Sequence, residues 1–184
     1  MNKDIEKIMI SEEDIQSAVA RLAKEIDCDY ADAEGHVLLL AILKGSVVFM
    51  GDLMKRVTIP VEIDFMKVSS YGGGTSTSGH INIHLDLIRR DLDQCHIIIV
   101  EDIIDSGRTL SYLVQYLHNK GAKSVRTCTL LDKPSRREVS FTPDYVGYEV
   151  EDEFVVGYGL DYDEQYRALP YIGVLRHSVY SSEN

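Results

Sequence analysis

Between Ile97 and Leu110 the chain reads IIIVEDIIDSGRTL, an apolar run that ends in two adjacent carboxylates and then turns through Asp105-Ser106-Gly107-Arg108-Thr109. Ionised Glu101 and Asp102 can only accept hydrogen bonds or ligate a hard cation, which suits sugar hydroxyls or a Mg²⁺ carried by a substrate. Gly107 permits a tight turn, and Ser106 and Thr109 set hydroxyls beside the amides that open a helix. The combination is a cradle for a phosphate monoester. A lone Asp-Ser-Gly would be no more than a helix cap; a phosphate site and a diol-or-metal site a ribose apart is a much narrower pattern. Two other apolar runs end in reactive side chains: His36 to Leu43 is followed by Lys44-Gly45-Ser46, and Val125 to Leu131 by Asp132-Lys133. Ligands of open α/β sheets collect at the carboxyl ends of strands, so three such ends point to one site.

The elements that must hold these ends follow from periodicity. Continuous apolar runs are what strands buried on both faces of a parallel sheet look like, and here they alternate with helical segments. Ser11-Glu12-Glu13-Asp14 ahead of Ile15, Val19, Leu22 and Ile26 reads as a capped amphipathic helix ending near residues 27–29. Residues 47–57 supply a helical crossover, 61–68 the next strand, and 106–120 a helix stopped at Gly121. Residues 80–87 alternate Ile81, Ile83, Leu85 and Leu87 against polar neighbours, a half-exposed strand that with the one before it can form a two-stranded arm bracketing residues 69–79, and on which His80 and His84 make a poor metal pair. Shorter strands are expected over 145–150, 154–158 and 171–174. Residues 69–79, SSYGGGTSTSG, can support no packed element and read as a long loop, either a passive linker or a lid. The whole reads as an α/β domain with a mainly parallel sheet.

Composition narrows the partners. A chain of 184 residues suits a single domain that buries roughly 70% of its unfolded surface. The formal net charge of −11 argues against nucleic acid, whose phosphates need basic surface, but leaves room for a small phosphate ester held by local amides and cations. Cys28, Cys95 and Cys128 are far apart and odd in number, so buried free thiols are expected rather than a disulfide framework or a thiolate zinc site. No apolar run reaches the ~18 residues of a membrane span, and MNKDIEKIMISEED lacks the basic-then-apolar layout of a signal peptide. The expectation is a cytoplasmic protein with no membrane partner.

VEDIIDSGRTL, Val100 to Leu110, resembles the phosphoribosyl-pyrophosphate (PRPP) motif of the type I phosphoribosyltransferases. Leu43-Lys44-Gly45-Ser46 is similar to the family's pyrophosphate loop, and Ser70-Tyr71 with the glycines that follow is similar to its flexible lid. Leu131-Asp132-Lys133 and the stretch Phe154 to Tyr162, FVVGYGLDY, resemble its 6-oxopurine branch. The resemblance covers about residues 36–175. It implies a mainly parallel five-stranded twisted sheet flanked by helices, with core residues 36–150, a small hood from residues 1–35 and 151–184, and a lid loop. It also implies salvage of hypoxanthine or guanine with PRPP and Mg²⁺, giving the nucleotides IMP or GMP plus pyrophosphate, by a homodimer or homotetramer. Ser106, Gly107, Arg108 and Thr109, with Asp105, would hold the 5-phosphate, the Arg108 side chain mattering little because relatives vary there. Glu101 and Asp102 would bind the ribose hydroxyls and a metal, and Asp161 a second Mg²⁺. Lys44, Gly45 and Arg167 would bind pyrophosphate, often beside a non-proline cis peptide just before the lysine; Ser46 stands where some relatives have glycine. Lys133 would donate to the 6-oxo oxygen, Phe154 would stack on the purine, Val155 would offer backbone groups to its edge and Ile103 would pack on the opposite face. Asp105 would be the general base for the ring N–H.

Two other readings stand beside this one. A PRPP-binding regulator of the same fold would keep the pocket and lose turnover, although the negative charge and the intact Asp105, Lys133 and Asp161 speak against it. A Mg²⁺-dependent phosphatase would use Glu101, Asp102 and Asp105 as ligands but leaves Lys133 and the Phe154 strand without a task.

Overall fold

The apolar runs form the centre of a sheet covered on both faces. The computed structural model describes residues 2–70 and 81–181, with only the backbone of Ser70. Along the chain lie β1 (Ile5–Ile10), α1 (Glu12–Tyr30), β2 (His36–Leu43), α2 (Val47–Met54), β3 (Glu62–Ser70), β4 (Ile81–Leu85), β5 (Cys95–Ile104), α3 (Arg108–Asn119), β6 (Ser124–Asp132), β7 (Tyr145–Glu149), β8 (Val155–Val156), β9 (Ile172–Leu175) and α4 (His177–Tyr180), with single 3₁₀ turns at Leu92–Gln94 and Pro134–Arg136. The main sheet has the order β4-β3-β2-β5-β6-β7. Its last five strands are mutually parallel, as expected, and β4 adds an antiparallel edge against β3.

The two faces of β2 show how the run is used. Val37, Leu39 and Ala41 join Ile98, Val100 and Leu130 beneath α1 and α2, whereas Leu38, Leu40 and Ile42 join Ile97 and Ile99 beneath Leu110, Leu113 and Leu117 of α3. Side chains alternate along a strand, so a stretch without polar residues is required when both faces are covered. The crossovers therefore place the carboxyl ends of β2, β5 and β6 at one rim.

Ser11 caps α1 by accepting from the Asp14 amide at 3.1 Å, and the acidic first turn opposes the positive helix end. The helix runs on to Tyr30 because that residue packs edge-on to His96, with the Arg126 guanidinium over its ring. α1 lies on the main sheet rather than in the hood. Of residues 1–35, only β1 joins the small sheet, whose order is β1-β9-β8. β1 escapes detection in the sequence because two register shifts against β9 break its period of two.

Several boundaries move. β5 continues through Glu101 to Ile104, paired with β6 as far as Ile104 opposite Asp132, so the two carboxylates stand within the strand and not beyond its tip. α3 starts at Arg108, with Gly107 as a left-handed N-cap at φ 78°. α2 ends at Met54, and the expected strand at 154–158 reduces to Val155–Val156. Cys95 and Cys128 are buried free thiols, whereas Cys28, on α1, is exposed. His84 bonds the Ser69 hydroxyl at 2.7 Å, and His80 lies outside the described residues. Among the described residues no helix is long and apolar enough to cross a membrane.

Candidate active site

At the rim where the parallel strands end, a cavity of about 570 Å³ opens between β2, β3 and β5. Lys44, Gly45, Glu101, Asp102, Ile103, Asp105, Ser106, Gly107 and Thr109, all expected in one site, line it together. The peptide between Leu43 and Lys44 is cis. Gly45 admits no side chain: a Cβ there would lie 1.6 Å from Asp102 Oδ2, so the loop and the carboxylate touch only because the residue is glycine. Ser46 is fully buried and donates through Oγ to the Ile42 carbonyl at 2.5 Å, which ties the loop back onto β2.

Glu101 and Asp102 are set on the cavity floor. Burial, and then the neighbouring Asp102 charge, push the Glu101 carboxyl well above its ordinary range. Burial also raises that of Asp102, against hydrogen bonds from Glu101 and the Ile103 amide and the more distant Arg167 charge that work the other way. Two carboxylates held this way favour a proton or a cation between them.

The Asp105 loop makes the second half of the cavity. Asp105 Oδ1 is buried without a hydrogen-bond partner among the described residues. Most buried polar atoms are satisfied, so such an acceptor is an exception that calls for a donor from outside. Ser106 Oγ accepts from the Arg108 amide at 3.3 Å, and the first amides of α3 have no intrahelical acceptor, as at any helix start. The Arg108 side chain points away to Glu138 at 2.5 Å and is absent from the cavity lining.

Arg137 was not foreseen from the sequence, yet it braces this loop from behind. It donates to the Asp105 carbonyl, to Asp132 Oδ1 and, at 3.1 Å, to the Phe141 carbonyl, and a Cβ on Gly107 would meet its side chain at 2.9 Å. The amides of Glu138 and Val139 both bond the Ser106 carbonyl. Nothing in the stretch Lys133 to Arg137 marks one of its three cations as the brace; the chain reversal at Pro134 decides it.

The remaining expected residues are not among those that line the cavity. Arg167 and Gly159 exchange hydrogen bonds, and a Cβ on Gly159 would lie 2.0 Å from the Gly45 carbonyl, so the loop from 157 to 167 sits directly on the Lys44-Gly45 turn. Glu164, also unforeseen, bonds Lys44 Nζ at 2.9 Å and Arg167 Nη2 at 3.2 Å, and Asp161 reaches Arg167 at 2.9 Å. Lys44 and then Arg167 pull the Glu164 carboxyl below its ordinary range. Lys133 is buried and donates to the Glu153 carbonyl at 2.7 Å, which links the end of β6 to the segment that carries Phe154 and Val155. Tyr71 lies outside the described residues, and Ser70 ends β3.

The phosphoribosyl transferase domain model matches residues 10–163. The chain is 52% identical over 182 residues to the hypoxanthine-guanine phosphoribosyltransferase of Bacillus subtilis (strain 168), covering 99% of each. It is 50% identical over 182 residues to the bifunctional protein TilS/HprT of Listeria innocua, of whose length it spans only 28%. Among solved structures, a hypoxanthine phosphoribosyltransferase from Staphylococcus aureus superposes with a TM-score of 0.90 at 44% identity, covering 96% of this chain and 95% of that one. That of Trypanosoma cruzi gives 0.92 at 39% identity over 98% and 96%. With the domain model spanning most of the chain and these relatives spanning nearly all of it, the chain belongs to the phosphoribosyltransferase family, in the branch of the hypoxanthine-guanine phosphoribosyltransferases.

Proposed function

We propose that this protein transfers the 5-phosphoribosyl group of PRPP to N9 of hypoxanthine or guanine, giving IMP or GMP and pyrophosphate in a Mg²⁺-dependent reaction of purine salvage. The observation that carries this reading is the unpartnered Asp105 Oδ1, an acceptor buried at the head of a phosphate cradle and beside two carboxylates. In the reaction the bond from the anomeric carbon to the pyrophosphate oxygen breaks and a bond to N9 forms. The N–H proton leaves the purine, and in this reading Asp105, whose buried Oδ1 has no other partner among the described residues, accepts it. A carboxylate is a weak base for such a proton, so the transfer belongs late, once bonding to the sugar has acidified the ring.

The remaining roles follow the family's pattern. Ser106, Gly107, Arg108 and Thr109 hold the 5-phosphate, Arg108 through its amide. Glu101 and Asp102 take the ribose diol. Lys44, Gly45 and Arg167 take the departing pyrophosphate, for which Glu164 must first release both cations. Lys133 donates to the 6-oxo oxygen, while Phe154, Val155 and Ile103 frame the ring. Alignment of this kind can supply about 7–11 kcal/mol of the barrier.

Glu101, Asp102 and Asp161 are the residues that would hold Mg²⁺. Their hard oxygen donors fit it, and the raised carboxyls of the first two favour a bound cation. Among the described residues no cluster of three His, Cys, Asp or Glu could hold a metal alone, so an ion here would take its other ligands from water and from the substrate's oxygens. Bound there, Mg²⁺ would neutralise part of the charge that develops on pyrophosphate.

We place the enzyme in the cytoplasm as a homodimer or homotetramer, with no nucleic-acid or membrane partner. One assay tests the reaction: purified protein with Mg²⁺, PRPP and hypoxanthine forms IMP and pyrophosphate. PRPP binding without turnover would instead identify a regulator of the same fold.

A further inference from the structure

The short C-terminal helix α4 lays Tyr180 flat on Phe154, with ring centroids 4.8 Å apart and planes inclined by 22°. Tyr162 stands edge-on to Phe154 at 5.6 Å and 86°, and also meets Tyr180 at 6.4 Å. His177 packs edge-on to Tyr180 at 5.0 Å from within the same turn. The turn is itself anchored: the Leu175 amide bonds the Phe154 carbonyl at 2.8 Å, and Arg176 bonds the carbonyls of Asp4 and Lys3 at 2.9 and 3.0 Å. Phe154 is nevertheless 38% exposed, so its ring is not simply a core residue.

These contacts divide the surroundings of one ring. Tyr180 follows β9 and reaches Phe154 from the side of the small sheet. Lys133, at the end of β6, reaches the same segment from the main sheet, through the Glu153 carbonyl. One face of Phe154 is thereby covered by Tyr180, and Tyr162 stands perpendicular beside it. A phenyl ring on the loop before a two-residue strand has little else to fix its plane, and stacking on a flat base rewards a fixed plane.

We propose that Tyr180 is a positioning residue for the purine: by stacking on Phe154 it holds that ring ready for a base on the opposite face. The inference rests on the reading of Phe154 as the ring that stacks on the purine. The opposite possibility is that Tyr180 occupies the base's own place as a plug, and it predicts the reverse effect.

Steady-state kinetics of the full chain separate the two. Tyr180→Ala should raise KM for hypoxanthine about 3- to 10-fold, the fold-change equivalent to losing one aromatic pair, while KM for PRPP and kcat stay near their original values. Tyr180→Phe, which keeps the ring and loses only the hydroxyl, should restore the original KM. Should the alanine variant fail to fold, as judged by thermal melting, Tyr180→Leu keeps apolar bulk without a plane and should show the same selective rise. An unchanged or lowered KM for hypoxanthine, or an equal rise for both substrates, would overturn the proposal. Absence of turnover in the unaltered protein would remove the purine reading itself, and the inference with it, whereas turnover indifferent to Tyr180 removes the inference alone.

Discussion

Asp105 illustrates how one atom can decide a reading at the residue scale. Its carboxylate could have been one more helix-capping group, but Oδ1 is buried and bonded to nothing described. Asp105→Asn keeps the shape and removes the base; PRPP binding should survive while kcat falls by about 10²–10⁴-fold, and an unchanged kcat would exclude the proton transfer. Glu101 and Asp102 carry a cost of the same kind. Their folded-state carboxyls lie above the ordinary range, so the folded protein holds protons more tightly than the unfolded chain. Their contribution to stability without metal or substrate is therefore fully present below the ordinary carboxylate range and is lost as pH rises from there towards the raised folded values. Glu101→Gln should flatten that decline and raise the melting temperature of the metal-free protein at neutral pH, while weakening PRPP binding. Melting curves in a chelator from pH 4 to 8 check the sign.

At the scale of elements, the site depends on strands that overrun their apolar runs. β5 keeps its pairing to β6 past Val100, which holds Glu101 and Asp102 in a fixed pleat instead of on a loose tip. The loop that follows has no such ladder and is held by Arg137 through the Asp105 carbonyl and Asp132. That ion pair is largely buried, with side-chain exposures of 14% and 13%. Removing one partner of such a pair costs about 3–5 kcal/mol because the other is stranded. Arg137→Ala should lower the melting temperature and, by loosening Asp105, lower kcat as well. Arg137→Lys should recover little of either, since an ammonium cannot fork between two acceptors in the same geometry. Retained kcat in a folded Arg137→Ala protein would show that the loop holds itself.

Across the whole molecule, the loop from 157 to 167, which follows β8 of the small sheet, sits on the Lys44-Gly45 turn, which follows β2 of the main sheet. On α2, directly after the Lys44-Gly45 turn, Val47, Val48 and Met54 remain 46%, 36% and 41% exposed. An apolar helix face left open so close to the site accords with the proposed assembly of like subunits. Light scattering at micromolar concentration should therefore give the mass of a dimer or tetramer, and Met54→Asp should shift it towards the monomer; a monomer at all concentrations would refute the assembly.

The strands and their order of chemistry were legible in the sequence because burial on both faces leaves an unbroken apolar run, and because a glycine-hydroxyl turn after carboxylates has few other uses. β2, β5 and β6 were legible for the first reason, the turn from Asp105 to Thr109 for the second, α1 by its cap and amphipathic period, and α3 by its stop at Gly121. β1 was not, since bulges scramble its period, and neither was the placement of α1 on the main sheet, whereas the two-stranded arm of β3 and β4 on either side of the loop was expected. Arg137, Glu164 and Tyr180 were invisible for a different reason: each is an ordinary surface-type residue until the fold brings a partner from far along the chain. The types of group in the site are a property of local sequence. Which of them touch, which acceptor is left without a donor, and which ring backs which are set by long-range packing, because a side chain's environment is built by residues that are not its neighbours in sequence.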